Sequence, residues 1–325
     1  MNVRDACLPR TIDPIEVATP LLIPSFSSRG FPHISNVHQL MRDYLFDVSL
    51  ISAYDLHHGS LSEPDIYATD TVFIDSGGYE AWATFDLGEP YADVHPGQIW
   101  DFDDYVHVLS RLTPLANLVI VNFDFTEPTL ISAQADHARQ LFAQYPGFAG
   151  DFLCKPESSS SPYLPIKSVV DQIHVLATFD LVGVTEKELG PTLLDRCRSI
   201  LQLREALHRR GFQTPLHVFG CLDPMTILAY FLCGADVFDG LVWLRFAFSE
   251  GIPVYHPTRM ILNETWADRD GDVVAAQRIE NLNWMRVQAR AMRRYCSTYD
   301  WDEFAVLPSA RDHLVRLVET AGLQL

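Results

Sequence analysis

Three aspartates follow short apolar runs, at points where a parallel sheet would release its chain: Asp75 after residues 71–74, Asp124 after 118–121 and Asp239 after 236–238. A carboxylate can attack a carbon, trade a proton or accept hydrogen bonds from a bound ring, according to where burial and neighbours put its proton. One strand-end Asp by itself is ordinarily a helix cap or half of an ion pair. Several at equivalent positions on one rim would place an acid, a base and a nucleophile within reach of the same ligand.

The stretch 215–245 shows how such a rim is built. An apolar run, 216–219, breaks at Gly220. A helix follows, opened by Asp223 and Pro224 and apolar at Ile227, Leu228, Phe231 and Leu232, and it stops at Gly234. A second run, 236–238, then delivers Asp239 to a glycine turn. Strand, glycine loop, helix, glycine and strand make one βαβ unit of a parallel sheet. Further strands are expected at 21–23, 48–52, 71–74, 118–121, 152–154 and 181–184, with helices at 37–46, 101–112, 130–144, 166–176 and 191–210. This alternation predicts an α/β protein, a (β/α)8 TIM barrel with a C-terminal helical appendage. Residues 1–265 are assigned to the barrel, the catalytic domain. Residues 266–325, with helices at 273–295 and 313–320, close it or pack beneath it. Side chains just past barrel strands lie on the carboxyl rim, where ligands bind. The polar, aromatic segment 79–97 is too long for a simple connection and reads as a functional loop or lid.

With 325 residues, 48% of them hydrophobic and 20% charged, the chain has the composition of an ordinary globular protein. No apolar run reaches the roughly 18 residues of a membrane span, and the N-terminal residues lack a signal peptide's apolar core. The expected location is cytoplasmic, without membrane contact. Net charge is −18, from 42 acidic and 24 basic residues. That opposes broad contact with phosphates. Arg286, Arg290, Arg293 and Arg294 recur at helical spacing, Arg204, Arg209 and Arg210 cluster on another helix, and both groups read first as solvated helix faces. Cys7, Cys154, Cys197, Cys221, Cys233 and Cys296 form no CxxC pair and are read as reduced, buried thiols. The adjacent His57 and His58 make a poor metal site. His33, His38 and His95 read as surface or loop groups, and Trp82, Trp100 and Trp243 as core. There is no P-loop, dinucleotide fingerprint or Gly-x-Ser-x-Gly elbow.

Four stretches, in this order, carry a family resemblance: Thr19-Pro20-Leu-Leu-Ile-Pro24, Phe73-Ile-Asp75-Ser76-Gly77-Gly78-Tyr79, Val119-Ile-Val-Asn-Phe123-Asp124, and Gly220 to Pro224 with Gly234-Ala-Asp-Val-Phe-Asp239 and Arg245. As a set they resemble the tRNA-guanine transglycosylase superfamily, over residues 19 to about 290. The resemblance implies that Asp239 is the covalent nucleophile and Asp75 the general acid/base. It further implies that Asp124 and Ser76 contact the base, that Tyr79 and Phe219 sandwich it, that Gly220 lets it approach, that Gly183 touches it through backbone, and that Arg245 stands near the nucleophile. No cofactor is implied.

The departures are as informative. Glu80 stands where the family has Gln and is a possible accessory group. Lys155 replaces a base-reading Gln; Lys only donates, whereas Gln also accepts, so a changed base or substituent is expected. Ala53-Tyr54-Asp55-Leu56 replaces Thr-Tyr-His-Leu. The Cys-rich zinc run is missing around residues 265–272, and Glu280-Asn281-Leu282 replaces His-Asn-Leu, so no metal is expected. The implied activity is replacement of guanine in a nucleic acid by a free 7-deazaguanine-type base, in a divergent, zinc-less member. The lost zinc site weakens tRNA as substrate and leaves DNA, as in the DNA-modifying branch, nearly level with it. Two further readings stay open: a hydrolase releasing a modified base, with Glu80 helping to position water, and a non-catalytic partner subunit. A homodimer, or a partner protein supplying basic surface, fits any of them.

Overall fold

Short runs rich in valine, isoleucine and leucine form eight parallel strands that close on themselves. In the computed structural model, which describes residues 1–82, 98–304 and 308–325, they are β1 (Leu21–Phe26), β2 (Val48–Ser52), β3 (Thr71–Asp75), β4 (Asn117–Val121), β5 (Ala149–Cys154), β6 (Leu181–Thr185), β7 (Leu216–Phe219) and β8 (Val237–Gly240). Each pairs with its neighbour in sequence, and β8 returns to β1 through Val237 to Gly240 against Leu21 to Pro24. The fold is therefore the expected TIM barrel. Strand side chains alternate between two packings. Ile23, Leu50, Phe73, Val121, Leu153, Phe219 and Val237 fill the interior. Leu22, Ile51, Ile74, Ile120, Phe152, Val182 and Phe238 face outward into the helical layer.

The helices obey their end signals. Helix α1 (Ile34–Met41), α2 (Phe102–Arg111) and α3 (Ile131–Phe142) cover the first half of the barrel. Thr192 caps α4 (Leu193–Arg209) by accepting from the Asp195 N–H. Asp223 caps α5 (Pro224–Leu232), accepting from the N–H groups of Met225 and Thr226, with Pro224 in the first turn. After β8 come a small hairpin, β9 (Ala247–Ser249) with β10 (Ile252–Val254), and α6 (His256–Leu262), neither of them anticipated. The long α7 (Asp270–Thr298) opens with Asp270 and Asp272, where the helix dipole favours negative charge. Its apolar face, Leu282, Met285, Ala289 and Met292, joins the outer layer. The last helix, α8 (Pro308–Ala321), packs on α4 and α5. The C-terminal helices thus lie against the barrel's side. Its amino end is filled by the N-terminal hairpin, whose Ile12 sits with Leu21, Val48 and Val237 and is flanked by Ile15 and Val17.

Several local expectations change. Strand β5 begins at Ala149, earlier than 152, and so carries Asp151 on its inner face. Strand β8 starts one residue later and holds Asp239 within it. Arg204 is fully buried and bonded to Asp236, so it belongs to no solvated face. His38 is likewise buried, edge-on to Phe26. All six cysteines are free and buried. Trp100 and Trp243 are buried, and each donates its indole N–H to backbone beside the rim: Trp100 to the Ser76 carbonyl in the turn after β3 at 2.9 Å, Trp243 to that of Ser25 near the end of β1 at 3.2 Å. From residue 83 on, the lid expected at 79–97 lies outside the described residues, as do His95 and the side chain of Trp82. Among the described residues no helix is long and apolar enough to cross a membrane.

Candidate active site at the carboxyl rim

The carboxyl ends of the strands surround a cavity of about 470 Å3, lined among others by Asp75, Ser76, Tyr79, Glu80, Asp124, Lys155, Phe219, Gly220, Asp239 and Arg245. That size lies within the roughly 300–1,000 Å3 of small-molecule sites. Residues far apart in sequence meet here because each follows, or ends, a barrel strand.

Asp75 ends β3, and the turn after it depends on glycine. Gly77 has φ +86°, a region that disfavours side chains, and its N–H donates to Asp75 Oδ2 at 3.1 Å. A Cβ on Gly77 would stand 2.6 Å from Tyr54 Cβ, and one on Gly78 only 2.7 Å from Asp124 Oδ2. The glycine pair therefore brings the turn against Tyr54 and seats Asp124 beside it. Burial first, then the nearby Glu80, pushes Asp75 up to about 7, against the Gly77 hydrogen bond. Such a carboxyl is about half protonated at neutral pH, so it can both give and take a proton.

Asp239 sits among donors. Ser25 Oγ donates to its Oδ2 at 2.8 Å, the Gly220 N–H donates to its Oδ1 at 3.0 Å, and His217 Nε2 stands 3.4 Å from Oδ1. Gly220, at φ +75°, turns its amide toward the carboxylate. The two carboxyls thus have different surroundings, Asp75 beside another carboxyl and Asp239 among donors.

Aromatic walls and a polar edge complete the cavity. The Tyr79 hydroxyl accepts from Arg245 Nη2 at 3.0 Å, and the Arg29 guanidinium lies 5.1 Å from its ring centre. Phe219 stacks on His217 with ring centres 3.8 Å apart. Gly183 lies behind Phe219, where a Cβ would come within 2.5 Å of that ring. Lys155 Nζ lies 3.3 Å from Asp124 Oδ2 and 2.6 Å from Glu188 Oε1. Burial alone would lower its pKa, but the two carboxylates outweigh burial and raise it. Glu80 is buried and accepts from the hydroxyls of Ser27 and Ser52. Burial and the neighbouring Asp55 push it up.

Sequence reasoning missed Asp151, His217, Ser25, Ser27, Ser52 and Glu188. The signal for His217 was the alternation Leu216-His217-Val218-Phe219, which puts the imidazole on the same face as Phe219. Among the described residues no cluster of His, Cys, Asp and Glu has the arrangement of a metal site. No protein-family model matches the chain, and no curated protein matches it either.

Proposed function

We propose that the chain breaks and remakes the N-glycosidic bond of a guanine-like base, exchanging that base in tRNA or DNA for a 7-deazaguanine-type base. The observation that carries this reading is the pairing of Asp75 and Asp239 in one cavity, one carboxyl raised to where it can give and take a proton, the other set among donors. In the first half-reaction an electron pair of the Asp239 carboxylate forms a bond to C1′. The C1′–N bond breaks, and the departing base takes the proton of Asp75. Negative charge has then moved from Asp239 to Asp75. In the second half, the ring nitrogen of the incoming base attacks C1′, its proton returns to Asp75, and Asp239 leaves as a carboxylate.

The walls and the edge support a purine ligand. Tyr79 and Phe219 offer flat faces. Asp124 accepts, and Lys155 donates, along one side. A base in a duplex must leave its stack to reach such a pocket. Arg29 and Arg245 flank Tyr79 at the mouth, where the phosphate of a neighbouring nucleotide would meet them.

One observation favours a second reading, hydrolysis of a modified nucleoside. Asp75, Glu80, Asp124, Glu186, Glu188 and Asp239 line the cavity, against Lys155, Lys187 and Arg245. An acidic wall suits a small uncharged substrate, and Glu80 beside Asp75 suits a positioned water. The test offers radiolabelled guanine with bulk tRNA, duplex DNA and single-stranded DNA, using wild type and Asp239→Asn. Label entering one polymer with wild type alone is the expected result. Release of free base without incorporation would replace exchange by hydrolysis, and inertness of both proteins toward every polymer would reject the exchange of guanine.

A further inference from the structure

Beneath Asp239 the barrel interior holds a histidine–aspartate pair in an otherwise apolar layer. His217 of β7 and Asp151 of β5 are both fully buried. His217 Nδ1 lies 2.6 Å from Asp151 Oδ2, and Nε2 points to Asp239 Oδ1 at 3.4 Å. Phe219 covers one face of the imidazole, and Phe73 meets it edge-on. On the intervening β6, Gly183 leaves the space open: a Cβ there would also stand 3.0 Å from Asp151 Oδ1. Burying two ions costs several kcal/mol each before their attraction offsets it. Leucine or valine would fill this layer more stably, as the rest of the interior does.

We infer that His217, oriented by Asp151, is a positioning residue for Asp239: together with the Gly220 N–H it holds Oδ1 and supplies the positive charge that the carboxylate meets on leaving the sugar. This rests on the reading of Asp239 as nucleophile. Oδ2, bonded to the rotatable Ser25 hydroxyl, makes the bond to C1′, and Oδ1 becomes the ester's carbonyl oxygen. When the C1′–O bond breaks, its electron pair returns to a carboxylate facing the imidazolium. His217 transfers no proton. Burial works to strip its proton, but Asp151 and Asp239 outweigh burial and carry the ring up to about 9. The charged groups around it are Asp151 from β5 and Asp239 from β8, with Asp75 of β3 acting on Asp239 across the cavity. Removing the cation therefore impairs Asp239 as a leaving group more than as a nucleophile.

The test has two arms. The variants are His217→Gln and the pair Asp151→Asn/His217→Gln, which leaves no lone buried ion and so guards against misfolding. In the first arm, NMR of the 15N-histidine-labelled chain at neutral pH needs no substrate. A doubly protonated His217 whose nitrogen shifts move in Asp239→Asn is expected; a neutral ring, or one indifferent to Asp239→Asn, overturns the inference. In the second arm, rapid quench follows exchange and the trapped ester. Exchange should fall about 100-fold, the size typical of losing one preorganised electrostatic partner, while the fraction of chain held as ester rises. Ester and exchange falling in parallel would make the pair merely structural and overturn the inference. An ester absent from wild type, with the NMR signature intact, sinks the nucleophile reading and with it the leaving-group role, leaving only the contact between His217 and Asp239. An ester present beside a neutral His217 sinks the positioning role alone.

Discussion

Asp236 and Asp239 stand three residues apart at the two ends of one strand, with nearly equal exposure, 4% and 6%. Burial does not separate them; their partners do. Asp236 is saturated. Arg10 Nη1 reaches its Oδ1 at 2.9 Å, while the Arg204 guanidinium and the Leu216 N–H, the latter at 2.8 Å, take its Oδ2. Arg204 in turn donates to the Gly234 carbonyl at 2.8 Å. Burial pushes this guanidinium down to about 9, and Asp236 opposes the shift. Such a cluster knits the amino end of the barrel and leaves nothing to react. Asp239 has a hydroxyl on one oxygen and an amide and an imidazole beside the other, no guanidinium among them, and opens on a cavity. The same side chain is thus a structural tie at one end of β8 and, under the proposed function, the nucleophile at the other.

Reciprocal substitutions would break that comparison most decisively. Asp239→Asn should abolish the ester and lower exchange by about 10⁴-fold or more, as loss of a nucleophile does, with an unfolding curve close to wild type. Asp236→Asn should do the reverse. It leaves two buried guanidinium groups without their anion, and stability in urea should fall by about 3–5 kcal/mol, while activity per folded molecule is retained. An Asp236→Asn chain as stable as wild type would remove the distinction between the two ends.

A smaller effect tests the acid. With Asp75 up near 7, ester formation in single turnovers should decline as pH rises through about 7, because the protonated carboxyl must supply the departing base. Stability runs in the same direction. A carboxyl raised above its ordinary value of 3.8 contributes stability that is fully present below 3.8 and is lost as pH rises to about 7. Asp75→Asn should flatten that part of the stability profile. An unchanged profile would mean that Asp75 is ionised in the folded chain.

The rim carboxylates and the barrel were legible in the sequence because both are local patterns. A strand is an apolar run, a helix start is Asp223-Pro224, and a rim residue is whatever follows the run. The charges inside were not legible. His217 looks like one polar residue within a short strand, and Asp151 lies where the strand had not been expected to begin. Only the β5–β6–β7 neighbourhood, with Gly183 between them, brings the two together. Arg204 misled for the same reason. It clusters in sequence with Arg209 and Arg210 on one helix, but its partner, Asp236, lies just ahead of a strand elsewhere in the chain. Contacts across strands leave no mark in sequence spacing, so buried ion pairs are the part of such a site that a single sequence hides.

Lys155→Gln gives the finest test, since it touches the rim and leaves both ends of β8 intact. Lys155 stands between Asp124 and Glu188 and presents donors only. Gln would restore an acceptor and leave Glu188 without its cation. A base bearing a positively charged substituent would then gain over guanine, since it can take the place of the ammonium beside Glu188. A shift of about tenfold in the ratio of kcat/KM values for the two bases, or ~1.4 kcal/mol, is expected from direct competition. The yield of ester with the better base should stay near wild type, because neither Asp75 nor Asp239 has lost a partner. Loss of ester together with the altered preference would place Lys155 in the bond-making machinery, and the division between an edge that reads the base and a pair that breaks the bond would no longer hold.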